Sequence, residues 1–515
     1  MVSRKQSPKR TRFIAVLILV VAIVLKVLIW DRENNRWLIR DLYYQAPLAA
    51  KLTLAPPIAA SSPLLTALIP TEIDDASKLN VTPVMGVLQP RTEAEIQSIV
   101  RFAQSHGKKI SLSGARHSMG GQIAYPHSLH LDMTRFDQMQ YNPQDQTLTV
   151  QSGATWKQIQ IELGKQGRSV RVMQDSNIFT LGGSMAVNAH GKDSRFGSLI
   201  ESINFFKLVN AKGQEIRCSR QENPQLFYAT IGGMGLLGVI TEVNLKTEVN
   251  ATYRYTVVHK PLTDAIAYME EQIQRPELEM IEAQVSVDQA NFLGEAQIYY
   301  FDKIEPNPSL SDNVSGENSI WLRKMVYRCS RSGNLGKQFR WFMQKNIGLQ
   351  FDPAQLTRNS AMAAPFRTLE LSEPETTDIL QEYFVPVNQV DSFLQTYRQL
   401  LLENNLSLIN VTIRKVNPDP EALVSYATQD MYAFVAYYKI SKSALGQQQM
   451  TRFTQTMMDS LQSIEGKFYL AYKGYYSQQQ LYRMYPTIEE LFRLKRQFDP
   501  QELFYNRWYA EFKPI

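Results

Sequence analysis

The 515-residue sequence is poor in cysteine and histidine, with only two cysteines and six histidines. Cys218 and Cys329 stand far apart in the chain, which excludes a disulfide-rich scaffold and a zinc site made of cysteines. The histidines show no metal-ligand spacing, so we predict no metal site.

The chain also lacks an excess of charge outside its first residues. The formal net charge is +6, but five of the positive charges come from the basic tail, residues 1–12. We therefore predict no nucleic-acid partner, because nothing in the rest of the chain supplies the electrostatic attraction. The hydrophobic content of 44% is ordinary for a globular protein, and the length indicates two or three domains.

Long apolar runs are rare, and one stands out near the beginning of the chain. Residues 13–30 are apolar except for Lys26, and as a helix they would span about 27 Å, close to the thickness of a bilayer core. The positive-inside rule places the tail 1–12 in the cytoplasm and the body on the non-cytoplasmic (periplasmic or extracellular) side. The alternative is a cleaved signal peptide, but no small-x-small cleavage site follows the run, which favours an uncleaved single-pass anchor.

A proline-containing stretch, residues 31–75, is predicted to be a stalk, and strand-like and helix-like segments alternate after it. Thr92 and Thr155 each begin a helix with the pattern of a capping box. The pattern indicates an α+β protein. We divide this part of the chain into the regions 76–250, 251–475 and 476–515.

Three glycine-rich stretches lie within the first of these regions, at residues 113–121, 180–191 and 232–240. Small residues let a backbone approach a ligand closely and turn several N–H groups toward it, which suits phosphates. Any one such loop is a weak signal. Three in order favour one shared ligand at the strand ends.

The third stretch contains Gly233-x-Gly235-x-x-Gly238, which matches the dinucleotide fingerprint. That fingerprint requires a strand before it and a helix after it. Here residues 223–228 look helical and residues 239–245 look like a strand. The order is reversed, so we predict that this is not a Rossmann NAD site.

The stretch from about Val81 to Leu245 resembles the FAD-binding domain of the vanillyl-alcohol oxidase (PCMH-type) superfamily. The resemblance implies that residues 76–250 form two α+β subdomains that bind FAD. It also implies that residues 251–475 form an α+β substrate (cap) domain with an antiparallel sheet, and that residues 476–515 return to the FAD domain. His190-Gly191-Lys192 and residues 225–233 look most like the decaprenylphosphoryl-ribose oxidase branch. Residues 484–486 (Met-Tyr-Pro) and 498–500 (Phe-Asp-Pro) resemble that branch and also the sugar-lactone and alditol oxidases.

The resemblance implies FAD as the cofactor. The residues that it assigns to FAD are Gly114, Ala115, Arg116, His117, Ser118, Thr180, Gly182, Gly183, Asn188, His190, Gly191, Gly238, Ile240 and Asn506. His117 stands where alditol and lactone oxidases have a histidine bonded to the flavin 8-methyl group, whereas the ribose oxidase has none there. Covalent FAD through His117 and noncovalent FAD with His117 packed in the loop both remain open, as do structural and catalytic roles for His190.

Oxidation of an alcohol carbon requires a path for hydride to the flavin and a group that accepts the hydroxyl proton. The candidates are Glu382, Arg414, Tyr472 and Lys473. Arg414 resembles the arginine of the alditol oxidases' Glu-x-Arg motif, in which Thr412 here replaces the glutamate. Tyr472 and Lys473 fall where the ribose oxidase has an active-site lysine. A surface ion pair or a structural hydrogen bond is the alternative for each candidate.

Residues 321–351 contain no acidic residue and mix basic with aromatic side chains. This composition suits an anionic membrane surface or the phosphate of a lipid-linked substrate. A helix pair whose aromatic residues pack on the domain is the alternative.

The sequence thus predicts a membrane-anchored, FAD-dependent oxidoreductase. Its substrate would be the CH–OH group of a sugar-like, polyol or lipid-linked sugar molecule, and its electrons would pass to O2 or a quinone. A 2-hydroxyacid dehydrogenase, a double-bond reductase and a noncatalytic flavin-binding membrane protein are the alternatives, because the fold alone does not choose among them.

Overall fold

The computed structural model describes residues 68–312, 314, 327–328, 330–331, 333–346, 354–363 and 373–514. The predicted tail, the anchor 13–30 and the stalk up to residue 67 lie outside the described residues. Among the helices that are described, none is both long enough and apolar enough to cross a bilayer. The anchor therefore stays a prediction.

The first part of the described chain forms two small sheets and one helix. The elements are β1 Thr71–Ile73, β2 Thr82–Val84, β3 Gly86–Leu88, α1 Glu93–Ser105, β4 Ile110–Ser113 and β5 Leu129–Asp132. Strands β3, β5 and β4 pair in parallel, in that order. The predicted capping box of Thr92 and Glu95 begins α1 and is confirmed, and the buried face of α1 covers the parallel sheet.

A six-stranded sheet follows, in the order β10-β9-β11-β7-β6, with β8 paired to β11. Its elements are β6 Met139–Asn142, β7 Thr147–Gln151, α2 Trp156–Gly164, β8 Arg168–Val170, α3 Leu181–Ala186, β9 Ile203–Val209, β10 Glu215–Ser219, α4 Pro224–Thr230 and β11 Val239–Val249. The capping box at Thr155 is confirmed at the start of α2. Helix α4 precedes the third glycine-rich stretch and strand β11 follows it, which confirms the reversed order that excludes a Rossmann site.

An eight-stranded antiparallel sheet forms the next part, in the order β15-β12-β14-β13-β17-β18-β16-β19. Its elements are β12 Thr252–Pro261, α5 Leu262–Ile273, β13 Leu278–Val285, β14 Glu295–Ile304, α6 Asn334–Asn346, β15 Gln355–Thr357, α7 Arg358–Ala361, β16 Thr376–Pro386, α8 Val390–Glu403, β17 Ser407–Val416, β18 Met431–Ser441, α9 Ala444–Ser463 and β19 Lys467–Phe468. One continuous hydrophobic core includes residues of this sheet and of the six-stranded sheet.

The chain ends with three short helices, α10 Gln478–Met484, α11 Ile488–Phe498 and α12 Arg507–Phe512. Between α11 and α12 the backbone pairs with β4, since Ile110 N–H donates to Leu503 O and Tyr505 N–H donates to Ile110 O. The end of the chain thus returns to the first parallel sheet, beside the loop that follows β4.

Candidate cofactor and active site

The first glycine-rich stretch begins where β4 ends. Arg116 adopts a left-handed conformation with φ of 60°, which turns the loop sharply, and its guanidinium lies 3.0 Å from the Asp132 carboxylate at the end of β5. The ion pair fastens the turn to the parallel sheet. The loop is therefore held close to the ends of β4 and β5.

The second stretch packs directly against the first. Thr180 caps α3. A Cβ atom added to Gly114 would lie only 1.9 Å from the Oγ1 atom of Thr180. Gly182 N–H donates to Ser152 O at 2.8 Å, and the Ser152 hydroxyl donates to Ile240 O at 2.6 Å. The start of β11 is thereby linked to the start of α3.

The third stretch is held by both the second stretch and the C-terminal segment. Gly232 and Met234 donate their N–H groups to carbonyls of α3, at 2.8 and 2.9 Å. Asn506 donates its side-chain amide to Met234 O at 3.0 Å. The three stretches predicted to share a ligand therefore meet in space.

A long cavity runs between these stretches and the eight-stranded sheet. The residues assigned to FAD that line it are Gly114, Ala115, Arg116, His117, Ser118, Thr180, Gly182, Gly183, His190, Gly238, Ile240 and Asn506. Asn188 and Gly191 lie behind the lining. Asn188 binds the Asp419 carboxylate at 2.6 Å, and a Cβ on Gly191 would lie 2.6 Å from Met173 O, so both shape the turn that carries His190.

The lining fits FAD, a long ligand with a polar diphosphate and a flat ring. Ser118 Oγ, Ser176 Oγ and His190 Nδ1 are buried polar atoms of the lining that have no hydrogen-bond partner among the described residues. Buried polar atoms are costly without a partner, so their presence indicates a polar ligand. His117 also lines the cavity, with its ring edge-to-face to Phe179 at 5.2 Å between centroids.

The floor of the other half of the cavity is one face of the eight-stranded sheet. Register places Thr412 opposite Val435, and Val435 opposite Glu382, so these residues form a row across β17, β18 and β16. A neighbouring row contains Asn410, Tyr437 and Leu380. All six side chains line the cavity, because alternate residues of a strand share a face.

Glu382 makes a short polar contact on this floor. One of its carboxylate oxygens lies 2.5 Å from His190 Nε2, and both side chains are buried, at 3% and 5% exposure. Burial raises the pKa of the Tyr472 hydroxyl well above its ordinary value, and the adjacent Glu382 carboxylate, to which it hydrogen-bonds, raises it further. A carboxylate only accepts hydrogen bonds, so Glu382 fixes the proton on Nε2 and leaves the lone pair of Nδ1 toward the cavity.

A second buried cluster surrounds Arg414. Its guanidinium lies 3.1 Å from Asp175 and 3.4 Å from Glu282, and the Lys192 ammonium lies 2.9 and 3.0 Å from the same two carboxylates. Burial alone would raise the pKa of Asp175, but Lys192 and Arg414 outweigh it and lower that pKa to about 2. The two cations of the cluster are thus matched by ionised carboxylates.

Lys473, the fourth candidate, is not brought to this floor. Its ammonium donates to Asn80 at 3.3 Å, while the side chain of the preceding residue, Tyr472, lines the cavity. Of these two neighbouring candidates, the structure brings only Tyr472 to the cavity.

Several polar residues of the floor were not among the predicted site residues. Asn410 is one: its side-chain oxygen accepts from Arg340 Nη2 at 2.6 Å and also from Gln284, and its Nδ2 donates to Thr412 Oγ1 at 3.2 Å. The sequence does carry a signal for it, because Asn410, Thr412 and Arg414 repeat with the period of a strand face. Asp175 carries no comparable signal.

Arg340 belongs to the basic and aromatic run 321–351, part of which the structure describes as α6. It is buried, and also donates to Ile409 O at 2.8 Å. Lys345 pairs with Glu295 at 2.5 Å, and Trp341 donates to the same carboxylate at 3.2 Å. These described members of the run contact the protein itself, as the packed-helix alternative expects.

The models of two protein families match parts of this chain. The model of the FAD binding domain matches residues 84–219, and the model of D-arabinono-1,4-lactone oxidase matches residues 351–512. The first covers the glycine-rich loops that follow β4 and precede α3. The second covers the cavity floor and the C-terminal segment.

Similar curated proteins are FAD-linked or other oxidoreductases. An uncharacterized oxidoreductase of the fasciation locus of Rhodococcoides fascians is 29% identical over 34% of this chain and 38% of its own length. Cytokinin dehydrogenase 2 of Arabidopsis thaliana is 28% identical over 32% of this chain and 34% of its own, and the FAD-linked oxidoreductase srdI of Neurospora crassa is 25% identical over 36% and 35%. The chain thus spans about a third of the length of these relatives.

The meeting of the glycine-rich loops, the fit of the lining to FAD and the two family matches agree. Among the described residues there is no group of side chains that could hold a metal ion. FAD is accordingly the cofactor of this protein. Both matches support the resemblance of this chain to the vanillyl-alcohol oxidase (PCMH-type) superfamily of FAD-linked oxidoreductases.

Proposed function

We propose that the protein oxidises the CH–OH group of a sugar-like, polyol or lipid-linked sugar substrate and passes the electrons to O2 or a quinone. One observation carries this proposal: the buried Glu382–His190 pair at 2.5 Å, whose free imidazole nitrogen lines the cavity. Such a pair is what removal of a hydroxyl proton requires. FAD supplies a hydride acceptor when bound.

In this mechanism His190 Nδ1 accepts the proton of the substrate hydroxyl. Glu382 stabilises the imidazolium that forms, because its carboxylate is already bonded to Nε2. Tyr472 keeps its own proton and donates to Glu382, which holds that carboxylate in place. The aromatic rings of Phe384, Tyr426 and Tyr469 around the imidazole keep water away, with centroids within 5.5, 5.7 and 6.0 Å.

The charge balance of the floor favours an uncharged substrate over a hydroxyacid. Arg414 is the cation that a carboxylate would use, but Asp175 and Glu282 already neutralise it together with Lys192. Glu382 adds a further negative charge nearby. A carboxylate entering here would meet repulsion, and the 2-hydroxyacid alternative is therefore the weaker one.

We also propose that His117 forms a covalent bond to the flavin 8-methyl carbon. The support is its position in the lining and its place in the resemblance to alditol and lactone oxidases. Such a bond would replace the N–H hydrogen of the His117 imidazole and one methyl hydrogen, and the two electrons and two protons released would pass to the electron acceptor. The test is acid precipitation: colour should stay in the pellet, and His117→Ala should release it to the supernatant.

The substrate class is tested with a panel of three compounds and an artificial electron acceptor. Xylitol, D-arabinono-1,4-lactone and D-lactate represent a polyol, the compound named by the matching family, and a hydroxyacid. The proposal expects turnover with xylitol or the lactone and little with D-lactate. Turnover with D-lactate alone would favour the hydroxyacid alternative, and reduction only by an external reductant would favour a double-bond reductase.

We further propose that residues 13–30 anchor the protein in a membrane with the body on the non-cytoplasmic side. The support is the length of the apolar run and the basic tail before it. Deletion of residues 1–30 should move the protein from the membrane fraction to the soluble fraction after carbonate extraction. Protease added to intact spheroplasts should digest the body of the full chain.

A further inference from the structure

Lys495 of α11 is buried completely, at 0% exposure, although it carries an ammonium group. It donates to the Asp499 carboxylate, to Leu236 O at 2.8 Å and to Phe504 O at 2.7 Å. A lysine has three N–H groups, so every donor of this side chain has a partner.

The three partners belong to two segments that meet at the cofactor cavity. Leu236 lies in the third glycine-rich stretch, whose neighbours Gly235 and Gly238 line the cavity. Phe504 lies in the C-terminal segment, and the next residues, Tyr505 and Asn506, also line the cavity. The ammonium therefore links the two walls from behind.

Asp499 extends this link along the C-terminal segment. Its carboxylate accepts N–H bonds from Leu503 at 2.8 Å and from Phe504 at 2.9 Å, which fixes the turn before the segment pairs with β4. Asn506 adds a contact to Met234 O at 3.0 Å. Lys495 and Asn506 thus bind the same glycine-rich stretch at two places.

Stability alone does not account for a charged amine at this position. Burial lowers the pKa of Lys495 to about 8, so keeping the amine charged in the interior costs free energy. Buried ion pairs can often be replaced by apolar side chains of similar size without loss of stability. What an apolar side chain would not reproduce is the three directed contacts.

We propose that Lys495 is a positioning residue that fixes the segment Leu503–Asn506 against the glycine-rich stretch 232–240, and so sets how tightly FAD is retained. The role is independent of the substrate. It extends the cofactor site to a side chain that the cavity lining does not include.

The test is the apparent dissociation constant of FAD, measured by flavin fluorescence, for Lys495→Met. All proteins carry His117→Ala, so that FAD is held without a covalent bond. Lys495→Met should weaken FAD retention about tenfold, which corresponds to about 1.4 kcal/mol. The matched control is Arg493→Met, since Arg493 lies on the same helix and pairs with Glu490 and Gln497, none of which lines the cavity. Unchanged FAD retention in folded Lys495→Met would overturn the proposal.

A second measurement guards against misfolding of that variant. The double variant Lys495→Met/Asp499→Asn removes both charges and should weaken FAD retention to a similar degree. Hydrogen exchange of the wild-type chain provides a readout without substitution: FAD should protect residues 234–238 and 503–506 together. Protection of one segment without the other would contradict the link through Lys495.

Discussion

One half of the cavity is lined by backbone and small side chains, from the loops that follow β4 and precede α3. The other half is lined by large polar and aromatic side chains, from β16, β17 and β18. In the first half the glycine-rich stretches pack closely against each other, as Gly114 does against Thr180, and this packing shapes the site for FAD. The second half has the proposed proton acceptor, His190 with Glu382, and a balanced charge cluster at Arg414. Cofactor retention and substrate chemistry should therefore respond to substitutions in different halves.

Glu382→Gln should give the largest difference between the effect on substrate chemistry and the effect on FAD retention. Loss of the carboxylate removes the partner that stabilises protonated His190, so the rate of flavin reduction by substrate should fall about 100-fold or more. FAD content should stay unchanged, because the Glu382 carboxylate binds side chains, those of His190 and Tyr472, and not the backbone of the glycine-rich stretches. Stopped-flow absorbance measures both quantities on the same sample. A loss of FAD with unchanged reduction per bound flavin would reverse the assignment.

Gly114→Ala should have the opposite effect. The new methyl group would meet Thr180 Oγ1 at 1.9 Å and force the first two glycine-rich stretches apart. We expect about 10-fold weaker FAD retention, because adding a methyl group to such a close contact costs on the order of 1–3 kcal/mol. The control is Gly167→Ala, at a glycine with φ of +63° and open space around it, outside the cavity. It should lose some stability but keep FAD; equal FAD loss in both variants would show that the cause is general destabilisation.

Asp175→Asn tests the charge balance of the substrate half. The substitution leaves Arg414 with one carboxylate partner fewer, so an anionic substrate gains a free cation. The KM for D-lactate should fall about 10-fold, in line with the value of a charge-assisted hydrogen bond of about 1.5–3 kcal/mol. KM values for D-lactate and xylitol are compared in both proteins. A parallel change for both substrates would contradict the electrostatic explanation.

The smallest expected effect follows from Arg340→Met on α6. Without the guanidinium, the amide of Asn410 loses one of the two donors that fix its orientation. KM should rise about 5-fold while kcat and FAD content change little, since one hydrogen bond of about 1 kcal/mol is lost near the substrate. Lys345→Met is the matched control, because Lys345 lies on the same helix and binds Glu295 instead of the cavity floor. Equal KM changes in both would mean that the helix as a whole is responsible.

The cofactor half is largely readable from the sequence, because its signals are local. Thr92 and Thr155 mark helix starts through contacts three residues away, and Gly235 stands before a strand rather than a helix. Such features depend on neighbours in the chain. Local patterns are therefore sufficient to locate the loops and to exclude a Rossmann site.

The substrate half is less readable, because its pairs join distant parts of the chain. His190 and Glu382 are 192 residues apart, and no spacing rule predicts their contact. Tyr472 and Lys473 are adjacent in the sequence, but the fold turns Tyr472 toward the cavity and Lys473 toward Asn80. The partners of Arg414 likewise come from a loop and from β13, and strand register alone decides that Glu282 lies opposite it.

The most direct test of the central claim is a single-turnover measurement without oxygen. Wild-type protein is mixed with xylitol or D-arabinono-1,4-lactone, unlabelled or deuterated at the alcohol carbons, and the flavin absorbance is followed. The account predicts bleaching that is slower with the deuterated compound and is nearly lost in Glu382→Gln. Flavin that stays oxidised with every alcohol, or bleaches with no isotope effect and no dependence on Glu382, would contradict it.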